Sequence, residues 1–200
     1  MIARTLLMVT TLTTSVSLAA RLGKQTLGAH QIAIQIYYFL ALAVDALAIS
    51  SQTVFAEETG RGDVSVLWPI TKRLIRLGLI AGAALGIGVA IAAPFLPHAF
   101  SPDGGVLSKA TQALLLCALM QVTGAVAFVT DGLLMGAGRF SSLAVGALAA
   151  AATFAGFAVL ARRGWLPGSP IVGVWIALNA WMLVRMIGNL AFAAKYLRPR

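Results

Sequence analysis

The sequence predicts an all-α integral membrane protein, a bundle of six transmembrane helices in one domain, residues 1–200. Three observations carry that prediction. Apolar residues make up 60% of the chain and charged ones 10%, against about 45–50% and 25% in an ordinary soluble domain. The apolar residues gather into six blocks, most of them near the ~20 residues a helix needs to cross a bilayer. Within these 200 residues that leaves no room for a domain outside the membrane, so function is expected inside it. Finally, the blocks contain three ionisable side chains, Asp45, Asp131 and Arg185. A charge in hydrocarbon costs several kcal/mol, so each is expected to face a cavity or a partner.

The first helix is expected over 2–20. Arg4 and the small residues Ser17 and Ala19 imitate a signal peptide, but the polar run Thr10, Thr11, Thr13, Thr14, Ser15 and Ser17 interrupts what would be a continuously apolar signal core. A basic turn holding Arg21 and Lys24 leads to the second helix, 27–55. The stretch 57–76, with Gly60, Gly62 and Pro69, reads as a polar, partly amphipathic connection. The third helix is expected over 77–95, stopped by Pro94 and Pro97. Gly78, Gly82 and Gly86 recur every fourth residue within it, a smooth stripe where another helix backbone can approach closely.

A loop with Pro102, Asp103, Gly104 and Gly105 precedes the fourth helix, 107–135. The fifth, 143–160, is almost all small and apolar and reads as scaffold. Pro167 and Pro170 introduce the last, 171–194.

Orientation follows from the Lys and Arg residues on alternating sides. One side carries Arg4, Arg61, Lys72, Arg73, Arg76, Arg139, Lys195, Arg198 and Arg200, nine in all; the other carries five, Arg21, Lys24, Lys109, Arg162 and Arg163. Both termini are therefore expected in the cytoplasm, with the protein in the plasma or inner membrane. The net charge of +9 is read as this orientation signal and as contact with membrane lipids, not as a nucleic-acid surface.

The second helix carries the clearest constellation. Gln31, Tyr38, Asp45 and Gln52 are spaced by seven, and Gln35 sits one turn after Gln31. Seven residues are nearly two turns, so these side chains form one slowly drifting polar stripe. Two readings are open: a hydrogen-bonded interface between helices, or a cavity-lining face, which the acid at mid-stripe favours. A carboxyl in such a path can exchange a proton for Na⁺ or for a cationic substrate.

Asp131, with Gly132, Gly136 and Gly138 after it, lies about one turn inside the end of the fourth helix. It reads either as a shallow structural group or as a second coupling carboxylate. Arg185, with Trp181 and Asn189 one turn to either side, reads either as a partner of Asp45 or Asp131 or as a charge reaching the headgroups. Gln121 and Asn179 complete the intramembrane polar set, as cavity-lining groups or as links between helices.

The chain offers no nucleophile with its base, no phosphate-binding glycine loop and no metal-ligand cluster. Cys117 is alone, and His30 and His98 are far apart. No catalytic residue, metal or cofactor is expected, only a coupling ion, H⁺ or Na⁺.

The segments Arg21-Leu22-Gly23, Leu27-Gly28-Ala29-His30-Gln31-Ile32 and Val44-Asp45-Ala46-Leu47-Ala48-Ile49, the Gly60-Arg61-Gly62-Asp63 turn and the run Asp131-Gly132-Leu133-Leu134-Met135-Gly136-Ala137-Gly138 occur in an order that resembles the second half of the multidrug and toxic compound extrusion (MATE) transporters, in particular their DinF-like branch. The resemblance covers nearly the whole chain. It implies one six-helix lobe of a twelve-helix antiporter, whose two lobes are related by pseudo-twofold symmetry and enclose a path for small organic, often cationic, substrates. Met1 then falls where helix seven would begin, and the partner implied is a missing N-terminal lobe or a second chain. In DinF-like members an important coupling carboxylate lies in that first lobe; in other branches one lies in the helix matching the fourth here, where Asp131 is the nearest candidate. Arg139 after the Gly-Ala-Gly turn departs from the family pattern. The competing functions are a six-helix structural or degenerate subunit without transport, and a lipid-linked sugar flippase of the wider superfamily, for which a more cationic cavity than Arg185 provides would be expected.

Overall fold

In the computed structural model of the chain, residues 2–62 and 66–197 are described. They form six helices long and apolar enough to cross a membrane: α1, Ile2–Arg21; α2, Lys24–Arg61; α3, Leu67–Ala92; α4, Gly104–Gly136; α5, Phe140–Arg162; and α6, Pro170–Leu197. A 3-10 turn, Leu96–Ala99, follows α3. Helices are the natural solution in hydrocarbon, where every backbone N–H and C=O has to be satisfied within its own segment. Met1, Asp63 of the expected turn and Arg198 and Arg200 of the C-terminal charge cluster lie outside the described residues.

The largest departure from expectation is the 57–76 connection, most of which is helix. α2 has 38 residues, about 57 Å at 1.5 Å per residue, far more than the ~30 Å hydrocarbon core. Its end extends beyond the apolar block as a charged helix, where Arg61 donates to Glu57 and Glu58 at 2.7 Å each. Gly62 ends it at φ 79°, a left-handed conformation with little cost for glycine. α3 then begins ten residues earlier than expected, at Leu67 instead of 77. Pro69 does not prevent this, because the N–H groups of a first helical turn have no intrahelical acceptor. The charged residues of this stretch extend the two helices beyond their apolar blocks. The other ends move by a few residues: Asp103 caps α4, its carboxylate accepting from the N–H groups of Gly105 at 2.7 Å and Val106 at 3.3 Å, and Pro170 occupies the first position of α6.

α4 is the central helix, packed by α2, α3 and α6; α5 lies against α6, and α1 against α5. Small residues permit this. Gly78, Gly82 and Gly86 are buried against α4, and a Cβ at Gly82 would come within 2.7 Å of the Gln121 carbonyl oxygen and 2.9 Å of Val122 Cα. Gly136 of α4 meets α2 in the same way, where an added Cβ would come within 2.6 Å of the Gln52 carbonyl oxygen. Exposed Ile80, Ile87 and Ile91 cover other faces of α3. The main core joins Ile34 and Tyr37 of α2, Leu114 and Met120 of α4, and Trp175, Leu178 and Trp181 of α6.

Candidate functional site

The α2 stripe faces away from the bundle. Gln31, Gln35, Tyr38, Asp45 and Gln52 are all exposed, whereas Ala33, Ile34, Tyr37, Val44, Ala48, Ser51 and Phe55 on the other side of the helix are buried. The stripe is therefore not part of an interface within this bundle. Gln35, Tyr38 and Asp45 wall an open groove of about 480 Å³, completed by Phe39, Leu42 and Phe128. No cation pairs with Asp45 among the described residues.

Asp131 occupies the opposite kind of environment, 2% exposed. One carboxylate oxygen, Oδ2, accepts from the guanidinium Nη2 groups of both Arg4 and Arg185. The other, Oδ1, accepts from the Asn189 amide at 2.7 Å, and that amide also donates to the Ala127 carbonyl at 3.2 Å. Arg185 is as buried as Asp131, with its guanidinium carbon 4.9 Å from the Phe128 ring centroid and 5.8 Å from that of Trp181. Charged side chains of α1, α4 and α6 thus converge on one carboxylate. Two guanidiniums and one carboxylate leave this cluster with a net positive charge. Phe128 separates it from the groove, lining the groove while carrying Arg185 against its ring.

The cavity-lining set expected from sequence therefore divides. Gln35 and Tyr38 line the groove with Asp45; Gln31 and Gln52 continue the exposed stripe beyond it. Arg185 does not line the groove but pairs in the core with Asp131, one of the two partners expected for it, and not with Asp45 or headgroups. Gln121 is a correction: it is buried, its amide donates to the Cys117 carbonyl of its own helix at 3.3 Å, and α3 covers its backbone. Asn179 donates to the Trp175 carbonyl at 2.8 Å and to the Leu116 carbonyl at 3.1 Å, so it links α6 to α4 away from the Asp45 groove.

Sequence reasoning read Arg4 as an orientation signal and as an imitation of a signal-peptide start, not as a partner of Asp131. The one available signal was a cation in the first turn of a helix with no other charge before its terminal Arg21. It also missed a second buried polar contact, in which His30 Nε2 lies 3.2 Å from Ser15 Oγ. Ser15 donates its only proton to the Leu12 carbonyl at 2.7 Å, so its oxygen is left to accept from His30 Nε2–H. The imidazole stands tilted against Trp175 with centroids 5.9 Å apart.

Residues 1–160 match the family model described as MatE. The chain is 31% identical to Protein DETOXIFICATION 45, chloroplastic, of Arabidopsis thaliana over 93% of its own length and 32% of that protein's. It is 28% identical to Protein DETOXIFICATION 43 of the same plant, over 96% and 36%. The chain thus spans about a third of the length of these relatives. A solved structure described as the outward-facing conformation of a multidrug resistance MATE family transporter of the MOP superfamily superposes with TM-score 0.83 at 16% identity, covering 97% of this chain and 42% of that one. A MOP superfamily transporter from Pyrococcus furiosus, described as having a binding pocket of reverse polarity, gives 0.82 at 16% identity, over 96% and 41%. Both share the fold.

Proposed function

The chain belongs to the MatE family, and from that premise we propose that it forms one six-helix lobe, the second of two, of an antiporter that exports organic, often cationic, compounds in exchange for H⁺ or Na⁺. The observation that carries this reading is the exposed face of α2, with Gln31, Gln35, Tyr38, Asp45 and Gln52 turned away from the bundle. Against lipid, a mid-span Asp alone would cost about 2.5–3.5 kcal/mol on insertion scales. Across an aqueous path from another lobe, the same residues are solvated and face substrate. The DinF-like motifs support that branch, and the nine-to-five bias of basic residues supports cytoplasmic termini.

In this reading Asp45 exchanges its ion for substrate, since no cation within the described bundle competes for it. Gln35 and Tyr38 supply neighbouring hydrogen-bonding groups, and Phe39, Leu42 and Phe128 give an apolar wall for an organic cation. Asp131 is held by Arg4, Arg185 and Asn189, and its part in coupling is to fix α1, α4 and α6 behind the groove.

The test is gradient-driven efflux of a cationic dye from proteoliposomes that hold the chain, alone and together with any six-helix segment encoded upstream in frame. Efflux that requires the pairing and falls at least tenfold in Asp45→Asn supports the assignment. Coupled efflux by the chain alone, undiminished in Asp45→Asn, overturns it.

A further inference from the structure

We propose that the cleft between α1 and α5 binds the phosphate of an anionic phospholipid, with an acyl chain laid along its floor. The cleft has a volume of about 350 Å³ and is walled by Thr14, Ser17, Leu18 and Arg21 of α1 and by residues of α5 that include Val159 and Arg162. Arg21 and Arg162 are the last residues of their helices, so they stand at the same end of the bundle. Neither forms an ion pair among the described residues.

Two guanidiniums at one mouth provide the forked donor geometry that phosphate oxygens accept. They also sit near helix C-termini, whose partial negative charge favours cations but offers no ligand for an anion; the anion site is made by the side chains. Below them Leu18 and Val159, each three residues from its arginine, begin an apolar floor, and the Ser17 and Thr14 hydroxyls lie deeper along α1. Charge at the mouth with an apolar floor beneath it matches a headgroup phosphate followed by its acyl chain.

A second observation fixes the depth. Trp165, just beyond α5, is 66% exposed with the Arg163 guanidinium 5.0 Å from its ring. Exposed tryptophans in membrane proteins gather at the level of the lipid headgroups. Arg162 is three residues away, so the guanidinium mouth of the cleft lies at that level and its floor lies toward the hydrocarbon. A free phosphate has no use for that floor. The cleft shares no lining residue with the groove of Asp45, so this inference stands apart from the transport reading.

Native mass spectrometry of the purified chain in detergent, titrated with phosphatidylglycerol and with phosphatidylcholine, tests it. The wild type is expected to retain phosphatidylglycerol at least fivefold better, and Arg21→Gln with Arg162→Gln to lose that preference. Val159→Trp, which fills the cleft without changing charge, is expected to lose it too. Arg163→Gln, outside the cleft, is expected to keep it. Equal retention of the two lipids, a preference that survives in either cleft variant, or an equal loss in Arg163→Gln overturns the proposal. Millimolar inorganic phosphate displacing phosphatidylglycerol completely would do so as well, because it would mark a free-phosphate site. Unchanged melting midpoints of the variants, whose altered side chains are exposed, confirm that each one folds.

Discussion

Arg185 and Asp131 form a buried ion pair between α6 and α4, each 2% exposed. Arg4 of α1 joins the same carboxylate oxygen from a position 14% exposed. The pair ties α6 to α4 near one end of the bundle, and its members cannot be separated without leaving a charge inside it. Removing one partner of such a pair costs about 3–5 kcal/mol, chiefly through the charge left behind.

Asp131→Asn is therefore expected to lower stability by about that amount, and Arg4→Gln by less, since Arg4 retains access to solvent. Combining Asp131→Asn with Arg185→Gln is expected to be milder than the sum of the two single changes, because, of the three charges, only Arg4 is then left, and it keeps access to solvent. Denaturant titration in mixed micelles, arranged as a double-mutant cycle, measures the difference. Strict additivity would show that the two side chains do not act as a pair.

The number of helices was legible because 60% apolar residues in blocks leave few alternatives, and the α2 stripe because a period of seven survives in the sequence without knowledge of any neighbour. The Asp131 cluster was not. Its cations lie 127 and 54 residues away, and nothing in a helix period says which distant element will cover a face. The direction of the stripe was hidden for a related reason: both sides of α2 are rich in apolar residues, so hydropathy could not separate the buried face with Ala33, Ile34 and Tyr37 from the exposed one with Phe39, Leu42 and Ile49. The charged continuation of α2 was missed because charge signals departure from the membrane, and departure from the membrane is not the end of a helix.

The glycine stripe of α3 makes a sharp steric prediction. Gly82→Val places its side chain where the Gln121 carbonyl lies 2.7 Å from Cβ, so α3 has to move away from α4. Overpacking of this kind costs about 1–3 kcal/mol, occasionally more. Gly88→Ala, with open space around its Cβ, is expected to be neutral or slightly stabilising through helix propensity. Melting of the two variants in the same detergent separates them; equal behaviour would mean that the helices do not approach at Gly82.

Asp45→Asn supplies the complementary case. Its side chain lies outside the packed interior, so stability is expected to change by less than about 0.5 kcal/mol, while coupled export is lost in the assembled transporter. A large loss of stability in a chain that still exports would assign Asp45 to the framework instead of the path.

Ser15 and His30 provide the last test, because the direction of their hydrogen bond follows from the Leu12 carbonyl taking the only hydroxyl proton. Ser15→Ala leaves His30 Nε2–H without an acceptor in a fully buried site, a loss of about 1–3 kcal/mol. Adding His30→Phe removes that orphaned donor and keeps an aromatic ring against Trp175, so the double variant is expected to recover most of the stability lost in Ser15→Ala. If His30 were instead the acceptor and Ser15 the donor, Ser15→Ala would leave only an unfilled lone pair, a cost normally smaller than that of a stranded N–H. ¹⁵N chemical shifts of the imidazole distinguish the two arrangements directly: a protonated Nε2 with a bare Nδ1 is the expected pattern, and the reverse tautomer would contradict the assignment.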